Sequence, residues 1–290
     1  MKAVVTGADG FAGRWLCRYL LTGGVDVTGW VRREPLQPIA GVRYRVQDIR
    51  DRAESEWALN EDSPNQVFHL AALTHLAECA DNPADAQDIN VQGAVNVFRA
   101  MPAAARGVFA STCHVYGAPQ ADPITEDHPL NPQGVYAQSK ANAEAEIRAL
   151  GKDVVIARAF HHTGPGQSAR YVLADWAAQV RAGVAAIRVG DIRIQRDFSD
   201  VRDVVAGYVH LAQTGESGGA YNLCSGSARP LSYYLDCLTS GTSTEVVVDE
   251  RRLRPGEVTR FCGDPSRAHA LGWSGTRPIE DTLAELIRAE

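Results

Sequence analysis

The sequence predicts an α/β protein organised on a doubly wound parallel sheet, with a smaller, partly interleaved α/β domain beside it. Three observations lead there. Short apolar runs alternate with stretches of helical periodicity through the first 160 residues, the rhythm of strand-crossover-strand units. The first run passes directly into a glycine-rich loop that opens a helix. After Phe160 the character changes, and Gly and Pro punctuate the chain at Thr163-Gly164-Pro165-Gly166, Gly183, Gly190 and Ser217-Gly218-Gly219.

In order, Ala3 to Val5 is the first strand and Phe11 to Leu21 the first helix, in which Phe11, Trp15, Leu16, Tyr19 and Leu20 recur at helical spacing and give one buried face. Val25 to Val31 is the second strand, and a third precedes Gln47-Asp48. Val67 to Leu70 leads to a helix from Ala84 to Met101, Gly107 to Ala110 to a helix from Tyr136 to Leu150, and Val154 to Ala157 continues the sheet. The expected division is one domain over 1–160 with a returning segment near 197–224, and a second over 161–196 and 225–290.

Composition bounds the function. With 29 basic and 35 acidic side chains and a net charge of −6, the chain lacks the concentrated positive surface that nucleic acid or an anionic membrane would require. A 45% hydrophobic and 22% charged composition is that of a soluble globular protein. The N-terminus enters a strand at once and no apolar run approaches the roughly 18 residues of a membrane span. Six scattered cysteines without a C-x-x-C pair suggest neither a zinc site nor a secreted disulfide framework. The expectation is a cytoplasmic protein with reduced thiols and no metal. Only three of the cations are lysines, Lys2, Lys140 and Lys152, so a lysine inside a motif stands out.

Between first strand and first helix stands Thr6-Gly7-Ala8-Asp9-Gly10-Phe11-Ala12-Gly13. In that position Gly7, Gly10 and Gly13 allow a tight turn and close backbone approach, and the helix from Phe11 faces a pyrophosphate with its N-terminus. The sheet is therefore of the Rossmann type and the first domain a dinucleotide-binding one. The second strand ends in Arg32-Arg33, where an NAD-binding protein usually carries an acid for the ribose 2′-hydroxyl; arginines suit a 2′-phosphate, which favours NADP(H) while leaving NAD(H) open. Asp48, after the third strand, is placed to accept from the adenine amino group.

Tyr136-Ala137-Gln138-Ser139-Lys140 opens a predicted helix, and its four-residue spacing puts phenol and ammonium on one face. A neighbouring ammonium favours the phenolate and would bring the Tyr136 pKa down toward neutrality, making it a general acid or base. Thr112 ends a strand at the carboxyl edge of the sheet, within reach of a reacting oxygen. His114 is a further acid/base candidate, since imidazole titrates near neutral pH. The adjacent His161-His162 pair has no evident third ligand, which argues against a metal.

With these residues the chain resembles the extended short-chain dehydrogenase/reductase family, the NAD(P)-dependent nucleotide-sugar epimerases and dehydratases. The resemblance runs through the Thr6 to Gly13 loop, Asp48-Ile49, His69-Leu70-Ala71-Ala72, Asn90-Val91-Gln92-Gly93, Ser111-Thr112 with Val115-Tyr116-Gly117, and Tyr136 with Lys140. It implies Thr112, Tyr136 and Lys140 as the catalytic triad, Ile49, Leu70, Ala71 and Ala72 as cofactor contacts, and a structural His69. Ala159 to Ser168, Gln195 to Val204, Leu253 to Val258 and Gly263 to Ser266 look like the GDP-4-keto-6-deoxy-D-mannose reductases and GDP-mannose 4,6-dehydratases. There the loops matching Arg196, Arg254 and Glu257 hold the nucleotide diphosphate and its ribose.

Two departures shape the expectation. The dehydratases carry an acid two places after the catalytic threonine, where this chain has His114. The related reductases usually carry Asn where His161 stands, which makes His161 a substrate contact of changed chemistry. The first favours reduction over dehydration, the second leaves the base and sugar open, and the resemblance implies NADPH-dependent reduction of a GDP-linked 4-keto-6-deoxyhexose, GDP-4-keto-6-deoxy-D-mannose to GDP-D-rhamnose. Alternatives are an epimerase with tightly held NAD, a dehydratase using His114, and a non-catalytic nucleotide-binding regulator. The helices Ala84 to Met101 and Tyr136 to Leu150 resemble the family's dimer interface and imply a homodimer.

Overall fold

The computed structural model describes residues 1–253 and 256–288. Strands β1 (Lys2–Thr6), β2 (Asp26–Val31), β3 (Val42–Val46), β4 (Gln66–His69), β5 (Arg106–Thr112) and β6 (Val154–Ala159) follow one another through the first half. The second half holds β7 (His161–Thr163), β8 (Ala186–Val189), β9 (Gln195–Asp200), β10 (Ala220–Leu223), β11 (Ala228–Pro230), β12 (Glu245–Val248) and β13 (Arg260–Phe261). Seven strands form one sheet in the order β10-β6-β5-β4-β1-β2-β3, and every neighbouring pair in it is parallel. The strand order reverses beside β1, which lies between β2 and β4. A crevice at the carboxyl ends of these strands is where such sheets bind ligands.

Helices on both faces make the sheet's composition intelligible. β4 and β6 are buried along their whole length, so they read as continuous rather than alternating apolar runs. Successive residues of β1 point to opposite cores. Val5 packs with Leu16, Leu20, Val205 and Leu211 under the helices Phe11–Thr22 and Val201–Thr214. Val4 packs with Ala58, Val97, Phe98 and Ile147 under Arg52–Asp62, Ala94–Ala100 and Gly134–Ala149. Each fully buried Leu, Val or Phe of this kind contributes about 1.5–3 kcal/mol by leaving water.

The helix expected from Ala84 to Met101 is continuous but irregular. Pro83–Gln87 and Ala94–Ala100 are α-helical, and Asp88–Gly93 between them is a π-helical segment. In the second half β7 and β13 pair with β9 in parallel and β11 in antiparallel fashion, and β8 pairs with β12. A separate core of Leu173, Trp176, Ile187, Tyr234, Leu235 and Leu286 fills this part. The chain passes back and forth between the two: β9 leads into Val201–Thr214 on the large sheet, and β10 becomes that sheet's edge.

Candidate active site

The glycine loop is shaped for close approach. Gly7 has φ +69° and its N–H donates to the carbonyl of Trp30 at 3.0 Å; a Cβ there would lie 2.9 Å from the Ala71 nitrogen. A Cβ on Gly13 would lie 2.1 Å from the Gly7 oxygen, so the helix can seat against the turn only with glycine at that position. Gly10 caps the helix without a side-chain hydrogen bond, so the first-turn N–H groups of Phe11 and its neighbours remain available to an anion. This cradle fits a dinucleotide pyrophosphate.

Around it, Leu70, Ala71 and Ala72 follow β4 half-buried, and Ile49 packs beneath Gly93. Arg32 and Arg33 are exposed directly after β2. Asp48 differs from expectation. Both its carboxylate oxygens accept from the Arg50 side chain, the shortest at 2.6 Å, and that bonding holds its pKa below the usual carboxylate range. An adenine amino group would share Asp48 with a guanidinium.

Thr112 ends β5, and its hydroxyl caps the following 3₁₀ turn, Cys113–Tyr116, by accepting from the His114 N–H at 3.3 Å. Tyr136 and Lys140 stand one turn apart on the helix Gly134–Ala149. Its first turn is anchored from the π-helical segment. The Asn90 side chain accepts from the Leu73 N–H at 2.7 Å and donates to the Leu73 carbonyl at 3.0 Å and to Ser139 Oγ at 2.9 Å, and Ser139 donates to the Tyr136 carbonyl at 2.8 Å.

Electrostatically the pair is not as the spacing suggests. Burial pushes the Tyr136 phenol above its ordinary value, with Thr112 hydrogen bonding opposing it. Lys140 is 2% exposed, its Nζ lies 4.0 Å from the centroid of Phe109, and burial pushes its own pKa down to about 7. Desolvation dominates at both groups, and the expected lowering of the tyrosine by the lysine does not appear. The result is a phenol held protonated, beside an amine poised to exchange a proton near neutral pH.

The histidines separate into distinct environments. His162 donates through Nδ1 to the Phe160 carbonyl at 2.9 Å and stacks on Phe11, 6.2 Å between centroids, toward the glycine loop. His161 turns the other way and meets His114 at 5.6 Å, while His114 stands edge-on to Tyr136 at 6.1 Å. Desolvation lowers both imidazole pKa values, so His114 and His161 are neutral at physiological pH. The structure thus parts the adjacent pair but gives His161 two other companions, His114 and the buried Cys113, whose thiol burial pushes up to about 12. His69 is fully enclosed, bonded through Nδ1 to Thr6 Oγ1 at 2.9 Å, and pushed down to about 3.

Arg196 reaches the same end of the sheet with its guanidinium committed. It donates to the carbonyls of Gln195 and Val258, each at 2.9 Å, and to Glu257 Oε1 at 3.2 Å. A diphosphate would have to compete with Glu257 for it. Beneath, Asp197 accepts from Ser225 Oγ and from the N–H groups of Ser225, Gly226 and Gly263, clamping β9 to the loops after β10 and β13. Arg254 lies outside the described residues.

The match to known proteins completes this picture. Residues 3–224 match the NAD-dependent epimerase/dehydratase family. The chain belongs to that family. Its members among the relatives are enzymes acting on nucleotide sugars with NAD(P). A GDP-6-deoxy-D-mannose reductase of Pseudomonas aeruginosa is 34% identical over 99% of this chain and 96% of its own length. The structure of RMD from Pseudomonas aeruginosa, complexed with NADPH, superposes with a TM-score of 0.86 at 31% identity, covering 99% of this chain and 97% of that one. A Thermus thermophilus UDP-glucose 4-epimerase in complex with NAD gives 0.88 at 26% identity, covering 99% and 98%. This epimerase/dehydratase chain has no helix among its described residues long and apolar enough to cross a membrane.

Sequence reasoning gave no role to three groups that this family member places at or under the site, although Asn90 and Asp197 stand in segments that carry the resemblance. Asn90 acts through an irregular helical turn that no periodicity announces. Cys113 was visible only as the residue after Thr112. Asp197, a carboxylate inside a strand and 0% exposed, was detectable from its strand position, because a buried charge implies several donors around it.

Proposed function

We propose that this enzyme reduces the carbonyl of a nucleotide-linked 4-keto-6-deoxyhexose with NADPH, GDP-4-keto-6-deoxy-D-mannose being the favoured substrate and GDP-D-rhamnose its product. The observation that carries the reading is geometric: a histidine, His114, stands edge-on to Tyr136 at 6.1 Å where dehydratases place an acid, and burial favours the protonated phenol and the neutral imidazole. Reduction of a ketone needs one hydride and one proton, and among the described residues the main influences on the Tyr136 phenol include no carboxylate. The Pseudomonas reductase and the NADPH-bound structure support the same choice, as do the exposed Arg32 and Arg33 after β2 for a 2′-phosphate.

The bound nicotinamide supplies the hydride. Thr112 orients the carbonyl oxygen, and Tyr136 donates its proton to the alkoxide that forms at C4. Lys140 replenishes that proton and binds the nicotinamide ribose. Positioning and a proton held in place are what the protein contributes. Glu257 and Arg196 line the nucleotide end, and His161 contacts the sugar. The helices Pro83–Gln87, Ala94–Ala100 and Gly134–Ala149 are proposed to form the homodimer face, which sedimentation tests.

Mass spectrometry of reactions with NADPH and a panel of GDP-, UDP-, CDP- and dTDP-linked 4-keto sugars tests the reading. A product two hydrogens heavier, with NADPH consumed one for one, is expected with the GDP sugar. The likeness to the NAD-bound epimerase favours a second reading, in which NAD copurifies and products form without net oxidation of NADPH.

A further inference from the structure

The turn that follows β5 and the start of β7 bring together three side chains that carry metal-ligating atoms. The Cys113 Sγ and one ring nitrogen from each of His114 and His161 all lie within 4.8 Å of one another. The Nδ1 of His161 is buried without a hydrogen-bond partner, and an imidazole nitrogen stripped of water with nothing in exchange carries a standing cost. Aromatic rings wall the cluster: Phe198 lies 5.3 Å and Phe261 6.2 Å from His161, and Phe261 lies 6.4 Å from His114, centroid to centroid.

A thiol with two imidazoles is a borderline-soft donor set. It suits zinc and similar divalent ions, whereas magnesium and calcium require oxygen ligands that this cluster does not offer. Three protein ligands leave one tetrahedral position for water. The neighbouring ring is Tyr136, 6.1 Å from His114.

We propose that Cys113, His114 and His161 form a binding site for a zinc-class divalent cation beside Tyr136, and that its occupation reversibly blocks turnover. Binding forms one sulfur-metal and two nitrogen-metal bonds, and the Cys113 thiol proton leaves to solvent; nothing is oxidised or reduced. The cation then stands where a sugar carbonyl approaches the phenol. Only the inhibitory half rests on the reductase reading; the binding half is read from the metal alone.

The test is titration of the full chain with Co²⁺, monitored by absorption. One equivalent should produce thiolate-to-cobalt charge transfer in the near ultraviolet and the visible bands of a tetrahedral ion, and Zn²⁺ should abolish both by displacement. Cys113→Ser should remove the charge-transfer band, and His114→Ala and His161→Ala should each weaken binding by about 100-fold. Cys237→Ser, at the cysteine that is not buried, should change nothing. If Cys113→Ser fails to fold, the two histidine variants, which keep the thiol, decide alone. No charge-transfer band at one equivalent, or a band that survives His161→Ala at unchanged affinity, overturns the site. Turnover unaffected by one equivalent of Zn²⁺ in a preparation that shows the cobalt bands overturns the inhibition.

Discussion

Lys140 directs its ammonium group onto the face of Phe109, with Nζ 4.0 Å from the ring centroid. A cation over an aromatic face gains some attraction, yet not enough to replace lost water. Burial has moved its pKa from the ordinary 10.5 to about 7. Between those values the unfolded chain holds a proton that the folded one has released, so the lysine makes stability rise with pH across that window and costs most below it. Lys140→Met should therefore raise the melting temperature at pH 6 to 7, by about 2–4 °C per kcal/mol relieved, with the gain vanishing toward pH 10. The same variant should lose about 10²–10⁴-fold in turnover. Calorimetry across pH and steady-state kinetics check the two halves.

Tyr136→Phe removes the proposed proton donor and little else. Turnover should fall by about 10²–10⁴-fold while the NADPH dissociation constant, read by fluorescence of the bound cofactor, changes less than about threefold. Turnover near the parent value would remove Tyr136 from the chemistry.

The phosphate cradle makes a prediction about shape. Gly13→Ala places a methyl group 2.1 Å from the Gly7 oxygen, so loop and helix must separate. Dinucleotide affinity should drop by about 100-fold or more, a loss of at least about 2.7 kcal/mol. Secondary structure by circular dichroism should persist.

Arg158 and Glu144 form a buried pair under the catalytic helix, with Nη2 2.7 Å from Oε2 and Ser111 donating to the same carboxylate. Arg158→Met leaves that carboxylate with only Ser111 and the half-exposed Arg148, 3.2 Å away, and should destabilise the fold by up to about 3 kcal/mol, whereas adding Glu144→Leu should recover much of it. Urea denaturation measures both. Glu144 has its pKa depressed, chiefly by Arg158 acting against desolvation. Its stabilisation is thus full above the ordinary carboxylate range and is lost as pH falls through the lower, folded value.

Arg32→Ala with Arg33→Ala should raise the Michaelis constant for NADPH about tenfold and leave that for NADH nearly unchanged, if the two guanidiniums hold a 2′-phosphate. Comparable effects on both cofactors would assign the arginines to the surface.

The large sheet was legible because its signals are local. The glycine loop, the helical spacing from Phe11 to Leu20 and the apolar runs that became β4 and β6 each reside within a dozen residues. Thr112, Tyr136 and Lys140 were legible as side chains, but their protonation was not, since the proximity of Lys140 predicts a lowered phenol and burial raises it. Partnerships across long separations stayed hidden. Nothing near His161 reveals that Cys113 and His114 will stand against it. Arg196 was read by its charge, whereas Glu257 and two carbonyls decide what that charge is free to do.

The position of β10 at the margin of the large sheet dictates how the chain must come to its native state. β6 is buried on both faces, and its outer hydrogen-bonding side is met by Gly218–Leu223, about sixty residues later. While the chain is being synthesised, Val154–Ala159 presents an unsatisfied, apolar ribbon that invites pairing with other chains. Closure of that ribbon has high contact order and is correspondingly slow. The proposed cofactor-binding half is therefore not expected to be separable at Phe160: a fragment ending there keeps every glycine of the Thr6 to Gly13 loop and is expected to aggregate.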